Sequence, residues 1–368
     1  SVVGSVVNGC FPLRGRIMGL ITTIQWCDHT FNPWRGCTKV AAGCANCYAE
    51  KLSRRNPDVL GIWGDDGSRI VASEQMWSQP GKWNRLQPIR FGPVMRPRVF
   101  CASLADVFED WSGCPSWSNG NAVCICEDCG DGFREFGSGI NPPHCADCDS
   151  GAVHMASLDD VRRRLFRVID ETDRLDWLLL TKRPENIRWM ISDIDNPPKH
   201  GTSTQESTPS KRRQNLWLGT SVAVQEDLDR NWRLLAECRD MARVLFLSIE
   251  PLVGPVDLSW MRTADETPGN KMKPDWVIVG GESGPKARPC NAAWWIRDIV
   301  EQCKQALVPC FVKQLGSHTV WNDSGFVTHM MLNDKKGGDP DEWPDYLRVR
   351  EFPRGVAEWS DDNEGAEI

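Results

Sequence analysis

The sequence lacks long apolar runs. No run approaches the roughly 18 residues that a membrane-spanning helix needs. Residues 1–19 carry Arg14 and Arg16 within a mildly apolar stretch, which differs from the apolar region of an export signal. We therefore expect no membrane partner and a cytoplasmic location.

The sequence also has no excess of basic side chains. The 43 Lys and Arg residues against 50 Asp and Glu residues give a net charge of −7. This balance argues against tight, non-specific nucleic-acid binding, although it leaves room for a local basic groove.

The two tyrosines contrast with eighteen tryptophans. We expect most of these tryptophans to pack in the core or at a rim, and a few to stack on a base or an adenine ring.

Cysteine, in contrast, is abundant and clustered, with sixteen residues in the chain. Cys37, Cys44 and Cys47 have the spacing C-x6-C-x2-C, between an apolar, strand-like segment at residues 21–26 and a helical pattern at 47–55. Three thiolates on one such loop can hold three irons of a [4Fe–4S] cluster and leave the fourth iron for a ligand from outside the protein. A disulfide pair with a spare thiol, and a zinc site that uses His29 or a distant cysteine, are the alternatives.

Several runs of the sequence carry a family resemblance. They are FNPWRGCTK (31–39), GCANCYAE (43–50), LTKRP (180–184), LGTSV (218–222), SIEPL (248–252) and GGESGPKARP (280–289). The chain resembles, over roughly residues 24–316 and with one insertion, an uncharacterised family of phage and prophage proteins. That family has no known function and is generally regarded as radical-SAM-like. The cysteine spacing is similar to a stretched C-x3-C-x2-C loop of the radical S-adenosylmethionine (SAM) enzymes.

The resemblance implies a SAM-cleaving iron–sulfur enzyme. A reduced [4Fe–4S] cluster, supplied with electrons by a reducing donor, would cleave SAM bound at its open iron. The 5′-deoxyadenosyl radical would then abstract hydrogen from the substrate. The phage setting makes a nucleic-acid base or a nucleotide the expected substrate class.

Short apolar runs that end in polar residues recur along the chain, at 98–103, 175–180, 216–218, 244–247, 276–279 and 309–312. Such runs are typical of strands buried on both faces of a parallel sheet. Helical patterns lie between them, and one of these begins with a capping box formed by Ser157 and Asp160. The sequence therefore predicts an α/β fold, a full or partial (β/α) barrel of the radical SAM type, with residues 21–26 as its first strand.

Active sites of such barrels lie at the carboxyl ends of the strands. The candidate catalytic residues there are Glu250, Glu282 and Lys182. The glycines of residues 280–284 let a ligand approach the backbone closely. The predicted cofactor-binding residues at this rim are Gly280, Gly281, Glu282, Ser283, Thr220, Ser221 and Glu250.

A second cysteine pattern lies within the insertion. Its two C-x2-C pairs, fifteen residues apart, have the spacing of a four-thiolate zinc ribbon. The predicted zinc ligands are Cys126, Cys129, Cys145 and Cys148.

The expected organisation has five parts. They are a disordered leader or mis-start (1–17), the first part of the barrel with the cysteine loop (18–111), the zinc-ribbon insertion (112–153), the remainder of the barrel (154–316) and a C-terminal extension with an acidic tail (317–368). Two other functions stay open, a non-catalytic zinc or iron–sulfur protein that binds nucleic acid and a zinc-dependent barrel hydrolase.

Overall fold

The computed structural model describes residues 22, 24–90, 96–126, 134–135, 153–197, 210–262, 273–322 and 327–353. The strands in these ranges are β1 (His29–Phe31), β2 (Trp34–Arg35), β3 (Ile70–Val71), β4 (Arg98–Cys101), β5 (Val123–Cys126), β6 (Arg134–Glu135), β7 (Val153–Met155), β8 (Asp176–Thr181), β9 (Arg213–Ser221), β10 (Ala242–Ile249), β11 (Trp276–Gly280), β12 (Cys290–Asn291), β13 (Cys310–Gln314), β14 (Thr319–Asn322) and β15 (Val327–His329). The α-helices are α1 (Tyr48–Ser53), α2 (Pro57–Leu60), α3 (Glu74–Trp77), α4 (Gln79–Arg90), α5 (Leu158–Glu171), α6 (Pro184–Asp195), α7 (Gln225–Ala236) and α8 (Arg297–Gln305).

The main sheet has seven strands in the order β1-β4-β8-β9-β10-β11-β13. Every neighbouring pair is parallel, so the carboxyl ends of all seven strands lie along one edge. Because each strand pairs with the next main-sheet strand along the chain, the sheet is a half-barrel. The prediction of a partial barrel is confirmed. Within the described residues the first and last strands of the sheet, β1 and β13, do not pair, so these residues do not form a full barrel.

The first strand differs from the prediction. Residues 24–27 form a turn in which Cys27 N donates to Ile24 O at 3.4 Å, and β1 begins only at His29. The apolar character of the segment has another cause, because Trp26 is buried against Phe100 on the inner face of the sheet. The other six predicted strands are all present and correspond to β4, β8, β9, β10, β11 and β13.

The two faces of the sheet are buried by different partners. On the outer face, side chains such as Leu218 and Leu247 pack against α5–α8 in the larger core cluster. On the inner face, aromatic side chains from several strands fill the concave side, with Trp276 at the centre of the group. Its ring centroid lies 5.9 Å from that of Phe246 and 6.0 Å from that of Trp217. This burial on both faces explains the continuous apolar runs in the strands.

Helix α5 begins at the predicted capping box. Asp160 N donates to Ser157 Oγ at 3.2 Å, and Ser157 N donates to an oxygen of the Asp160 carboxylate at 2.8 Å. These two bonds satisfy amide groups that a helix start leaves unpaired. The helix buries Val161, Leu165 and Ile169 against the sheet.

The insertion contributes a small antiparallel sheet with the order β6-β5-β7. Cys126 ends β5 and is buried. The other three predicted zinc ligands, Cys129, Cys145 and Cys148, lie outside the described residues, as do the predicted leader and acidic tail.

The described part of the C-terminal extension packs against the last strand of the half-barrel. Val312 N donates to Val349 O, and Glu351 N donates to Cys310 O, both at 2.8 Å. This pairing covers the edge of β13, which would otherwise expose unpaired amides. No helix among the described residues is both long and apolar enough to cross a membrane.

Candidate functional site

The inward-facing positions of the half-barrel change from apolar to polar toward the carboxyl ends of the strands. Side chains alternate between the two faces, so Lys182 follows Leu178 and Leu180 on the inner face of β8. The same alternation places Ser221, Glu250 and Lys313 on the inner side of β9, β10 and β13. The aromatic cluster therefore closes the amino end, while the carboxyl end presents charges and hydroxyls.

Hydrogen bonds connect these four residues, one of them through the backbone of Glu250. Lys182 Nζ donates to Ser221 Oγ at 3.2 Å, and Ser221 Oγ donates to the backbone oxygen of Glu250 at 3.3 Å. Lys313 Nζ forms an ion pair with Glu250 Oε1 at 2.5 Å. Two ammonium groups and one carboxylate leave a net positive charge at this rim, which favours a ligand that carries an anionic group.

The cysteine loop lies directly over this rim. A Cβ atom placed on Gly43 would lie 3.4 Å from Ala223 Cβ and 3.5 Å from both Lys182 Cε and Pro251 Cδ. The loop thus touches residues that follow β8, β9 and β10. The loop that carries the three thiols therefore lies at the carboxyl edge of the sheet.

Glu282 ties the cysteine loop to the end of β11. Its carboxylate accepts two hydrogen bonds from the Arg288 guanidinium, at 2.8 and 3.0 Å, and one from Asn46 Nδ2 at 3.0 Å. Arg288 Nη1 also donates to Ala42 O at 3.1 Å. Burial alone would raise the pKa of Glu282, but the hydrogen bonds from Arg288 and Asn46 outweigh burial and lower the pKa. The carboxylate is therefore held ionised between the loop and the strand.

Cys37, the first thiol, adjoins a buried group of charges. Arg183 Nη1 lies 3.7 Å from Cys37 Sγ and 3.0 Å from Asp106 Oδ2, while Nη2 donates to Thr38 O at 2.7 Å. Burial, together with the carboxylates of Glu109 and Asp106, raises the pKa of the Cys37 thiol to about 12. Without a metal ion, this sulfur is therefore protonated at neutral pH.

A second ion pair completes that group. Arg69 and Glu109 are both almost fully buried and form two hydrogen bonds, at 2.7 and 2.8 Å. Glu109 Oε1 also accepts from Thr38 N at 2.7 Å. Together with Arg183 and Asp106, the group holds two positive and two negative charges. This balance limits the cost of burying ions, and it fixes the backbone next to Cys37.

None of the three thiols of the loop forms a disulfide, and all three are half-buried. Cys44 ends a short 3₁₀ turn and Cys47 precedes α1, with Cys47 N donating to Cys44 O at 3.3 Å. Among the described residues, no three His, Cys, Asp or Glu side chains are arranged as a group that could hold a metal ion. The donor set, three unpaired thiols on one loop beside a guanidinium, suits an iron–sulfur centre in its chemistry.

The remaining predicted rim residues have structural contacts. Thr220 is fully buried and donates to Thr181 O at 3.1 Å. A Cβ on Gly281 would lie 2.2 Å from Leu315 O, so this glycine allows two backbone segments to approach each other. Gly280 likewise packs against Gln314. Ser283 follows these glycines and is half-buried.

Sequence reasoning missed three residues that organise the site, namely Asn46, Arg69 and Glu109. Asn46 lies inside the C-x2-C spacer, so its position in the motif was a signal. Glu109 follows the end of β4 by a few residues, as Asp106 does. Arg69 gave no local signal, because its partner is forty residues away.

One family model, described as "Protein of unknown function (DUF5131)", matches residues 21–112 and 146–349. The chain belongs to this family. The prediction of an uncharacterised family is thereby confirmed. The unmatched residues 113–145 fall within the predicted insertion, so the zinc-ligand spacing is largely an addition to the DUF5131 match. The curated proteins and the solved structures contain no match to this chain.

Proposed function

We propose that this DUF5131 protein is an iron–sulfur enzyme of the radical SAM type, which reductively cleaves SAM to begin radical chemistry on a substrate. The observation that carries the proposal is the position of the cysteine loop. Three unpaired thiols lie on a segment that packs across the carboxyl ends of the parallel strands. This is the edge at which half-barrels and barrels of this class bind their ligands.

Cys37, Cys44 and Cys47 would hold the cluster. When bound, such a cluster supplies the electron for reductive cleavage of SAM. Among the described residues these thiols are not arranged as a metal-holding group, so cluster binding would require their side chains to move. The hydrogen bonds that Glu282 and Arg288 form with Asn46 and Ala42 hold the loop beside the end of β11.

The rim residues supply groups for binding a polar ligand. Lys182 has a hydroxyl partner in Ser221, and its ammonium group is available to a carboxylate or phosphate. Glu250 pairs with Lys313 and offers a carboxylate to an ammonium or hydroxyl group. Glu282 is engaged by Arg288 and Asn46, so we assign it to holding the loop.

A zinc ribbon in the insertion is a separate part of the proposal. It is supported by the spacing of the four cysteines and by the antiparallel strands β6, β5 and β7, with Cys126 at the end of β5. Bound zinc would stabilise a segment too small to fold on its apolar core.

A nucleic-acid base or nucleotide is the proposed substrate class.

The test is anaerobic purification of the full chain, with iron, acid-labile sulfide and zinc quantified, followed by incubation with SAM and dithionite. We expect iron and sulfide in the protein, and 5′-deoxyadenosine only when the reductant is present. Salt-dependent nucleic-acid binding without SAM cleavage would favour the non-catalytic alternative. Zinc in place of iron and sulfide would favour the hydrolase.

A further inference from the structure

Tyr48 is one of the two tyrosines in the chain and directly follows the third thiol of the cysteine loop. It begins α1, and its hydroxyl donates to Ser103 O, just beyond the end of β4, at 2.6 Å. Both ends of the side chain are thereby held, yet 53% of the residue is exposed. The ring is therefore a fixed aromatic surface that is open to a ligand at the carboxyl edge of the sheet.

The polar groups of the rim lie close to this ring. Burial raises the pKa of the Tyr48 hydroxyl to about 12, which outweighs the hydrogen bond to Ser103, and the Glu250 carboxylate adds to the rise. Tyr48 is thus neutral at physiological pH and near the ion pair between Glu250 and Lys313. A neutral ring beside acceptors and donors suits a planar heterocycle with hydrogen-bonding groups.

The two ammonium groups of the rim differ in their partners. Lys313 is paired with the Glu250 carboxylate at 2.5 Å. Lys182 Nζ, in contrast, donates to the Ser221 hydroxyl at 3.2 Å and has no carboxylate partner in the part of the chain that the structure describes. The positive charge of Lys182 is therefore the one that the rim leaves unbalanced.

The buried carboxylates behind the rim do not neutralise this charge. Asp106 accepts a hydrogen bond from the backbone nitrogen of Lys182, but its carboxylate is paired with Arg183 at 3.0 Å. Glu109 is paired with Arg69 at 2.7 Å. The ammonium group of Lys182 is therefore left for an anionic group of a ligand.

The pairing of β4 with β8 places Tyr48 and Lys182 next to each other. Cys101 of β4 lies opposite Leu179 of β8, so the segments that follow these residues leave the sheet side by side. The Tyr48 hydroxyl contacts the first segment at Ser103, and Lys182 belongs to the second. Because neighbouring strands are about 4.8 Å apart, the ring and the ammonium group lie within the length of one nucleotide.

We propose that Tyr48 and Lys182 form a nucleotide-binding site, in which a heterocyclic base stacks on the Tyr48 ring and a phosphate group accepts hydrogen bonds from the Lys182 ammonium. This inference rests on the proposed function for its substrate class, but it requires none of the three thiols and no metal ion. Ser221 and Glu250 follow along the same edge and can accept hydrogen bonds from the ribose hydroxyls.

The experiment is isothermal titration calorimetry of the full chain with the common nucleoside 5′-monophosphates, with the corresponding nucleosides and with inorganic phosphate. The variants are Tyr48→Leu, which removes the ring, Tyr48→Phe, which keeps it, and Lys182→Met, which removes the charge at similar length. The matched controls are Tyr346→Leu and Lys304→Met, because Tyr346 and Lys304 are exposed residues of the C-terminal extension and of α8.

We expect wild type to bind nucleotides more tightly than nucleosides or inorganic phosphate. Tyr48→Leu should weaken the binding of nucleotides and nucleosides alike by about tenfold or more, because both stack through the base, and Tyr48→Phe should keep most of the affinity. Lys182→Met should weaken the binding of nucleotides by about tenfold or more and leave nucleosides unchanged. Both controls should match wild type.

Nucleotide affinity equal to that of the controls in either Tyr48→Leu or Lys182→Met would overturn the inference. A wild-type chain that binds inorganic phosphate as tightly as nucleotides, or that binds SAM but no nucleotide, would overturn it as well. Should Tyr48→Leu fail to fold, the contrast between nucleotides and nucleosides in Lys182→Met decides. Release of 5′-deoxyadenosine is measured separately, so its absence from a chain with the expected binding would overturn the proposed function and leave the nucleotide site in place.

Discussion

At the residue scale, charge burial divides the ionisable groups of this protein into two kinds. Near the cysteine loop, Arg183, Asp106, Arg69 and Glu109 are buried together and their charges cancel. At the other end of the strands, Asp176 is buried with less compensation. Arg96 lies 3.5 Å from its carboxylate, at the long end of ion-pair distances. The first kind fixes the backbone of the cysteine loop, and the second makes stability sensitive to pH.

Asp176→Asn should change how stability depends on pH. Burial raises the pKa of Asp176 to about 7, despite the nearby Arg96, so the folded state binds a proton more tightly than the unfolded state does. The resulting stabilisation is present below the unfolded-state pKa and is lost as the pH rises through about 7. The melting temperature of Asp176→Asn minus that of wild type should therefore become more positive between about pH 5 and about pH 8.

Differential scanning calorimetry over that pH range measures this difference. The same substitution at the exposed Asp345 is the control. A difference for Asp176→Asn that does not vary with pH, or that falls as the pH rises, would contradict the assignment of a raised pKa.

At the scale of elements, the cysteine loop is a segment held by side chains from distant parts of the chain. It contains one short 3₁₀ turn and no strand, so it has few backbone bonds of its own. Asn46, Glu282 and Arg288 compensate by linking it to the segment after β11. A loop fastened mainly by side chains can keep its place over the rim although it contains little regular secondary structure.

Asn46→Ala should loosen this loop without unfolding the half-barrel. Asn46 Nδ2 donates to Glu282 Oε2 at 3.0 Å and to Lys286 O at 2.9 Å, and both bonds are lost. Losing these bonds should cost about 1–2 kcal/mol locally, so exchange of the amides in residues 42–48 should become roughly tenfold faster. Hydrogen-exchange mass spectrometry measures this rate.

The control for this change is Asn333→Ala on the exposed surface of the C-terminal extension. Exchange in residues 42–48 that stays at the wild-type rate in Asn46→Ala would contradict the anchoring role. Faster exchange throughout the sheet would show that the change acts on global stability instead.

At the scale of the whole molecule, the sequence predicts most of the half-barrel because its strands are buried on both faces. The run around residues 244–247 is apolar at every position, so its place in a parallel sheet follows from composition alone. The same reasoning wrongly predicted a strand at residues 21–26. Trp26 in this segment is buried because the turn that contains it packs on the inner face of the sheet. Whether the sheet closes depends on contacts between β1 and β13, which no local pattern encodes.

The candidate site is predictable to a similar extent. Residues that carry the motif, such as Cys37 and Cys47, and residues that end a strand, such as Glu250, stand out in the sequence. Pairs such as Arg69 with Glu109 do not, because they meet only through the tertiary fold. The glycines at 280 and 281 suggested room for a ligand, whereas the structure uses them to bring two strand ends together.

The most direct test of the central proposal is the iron and acid-labile sulfide content of the anaerobically reconstituted chain and four variants. Three of these, Cys37→Ala, Cys44→Ala and Cys47→Ala, each remove one thiol of the loop. The fourth, Cys238→Ala, removes a buried thiol next to the amino end of β10 and serves as the control. We predict about four irons and four sulfides for wild type and for the control, and a large loss in each of the other three. Wild-type iron content in any one of those three variants would contradict the proposal that all three thiols hold one cluster.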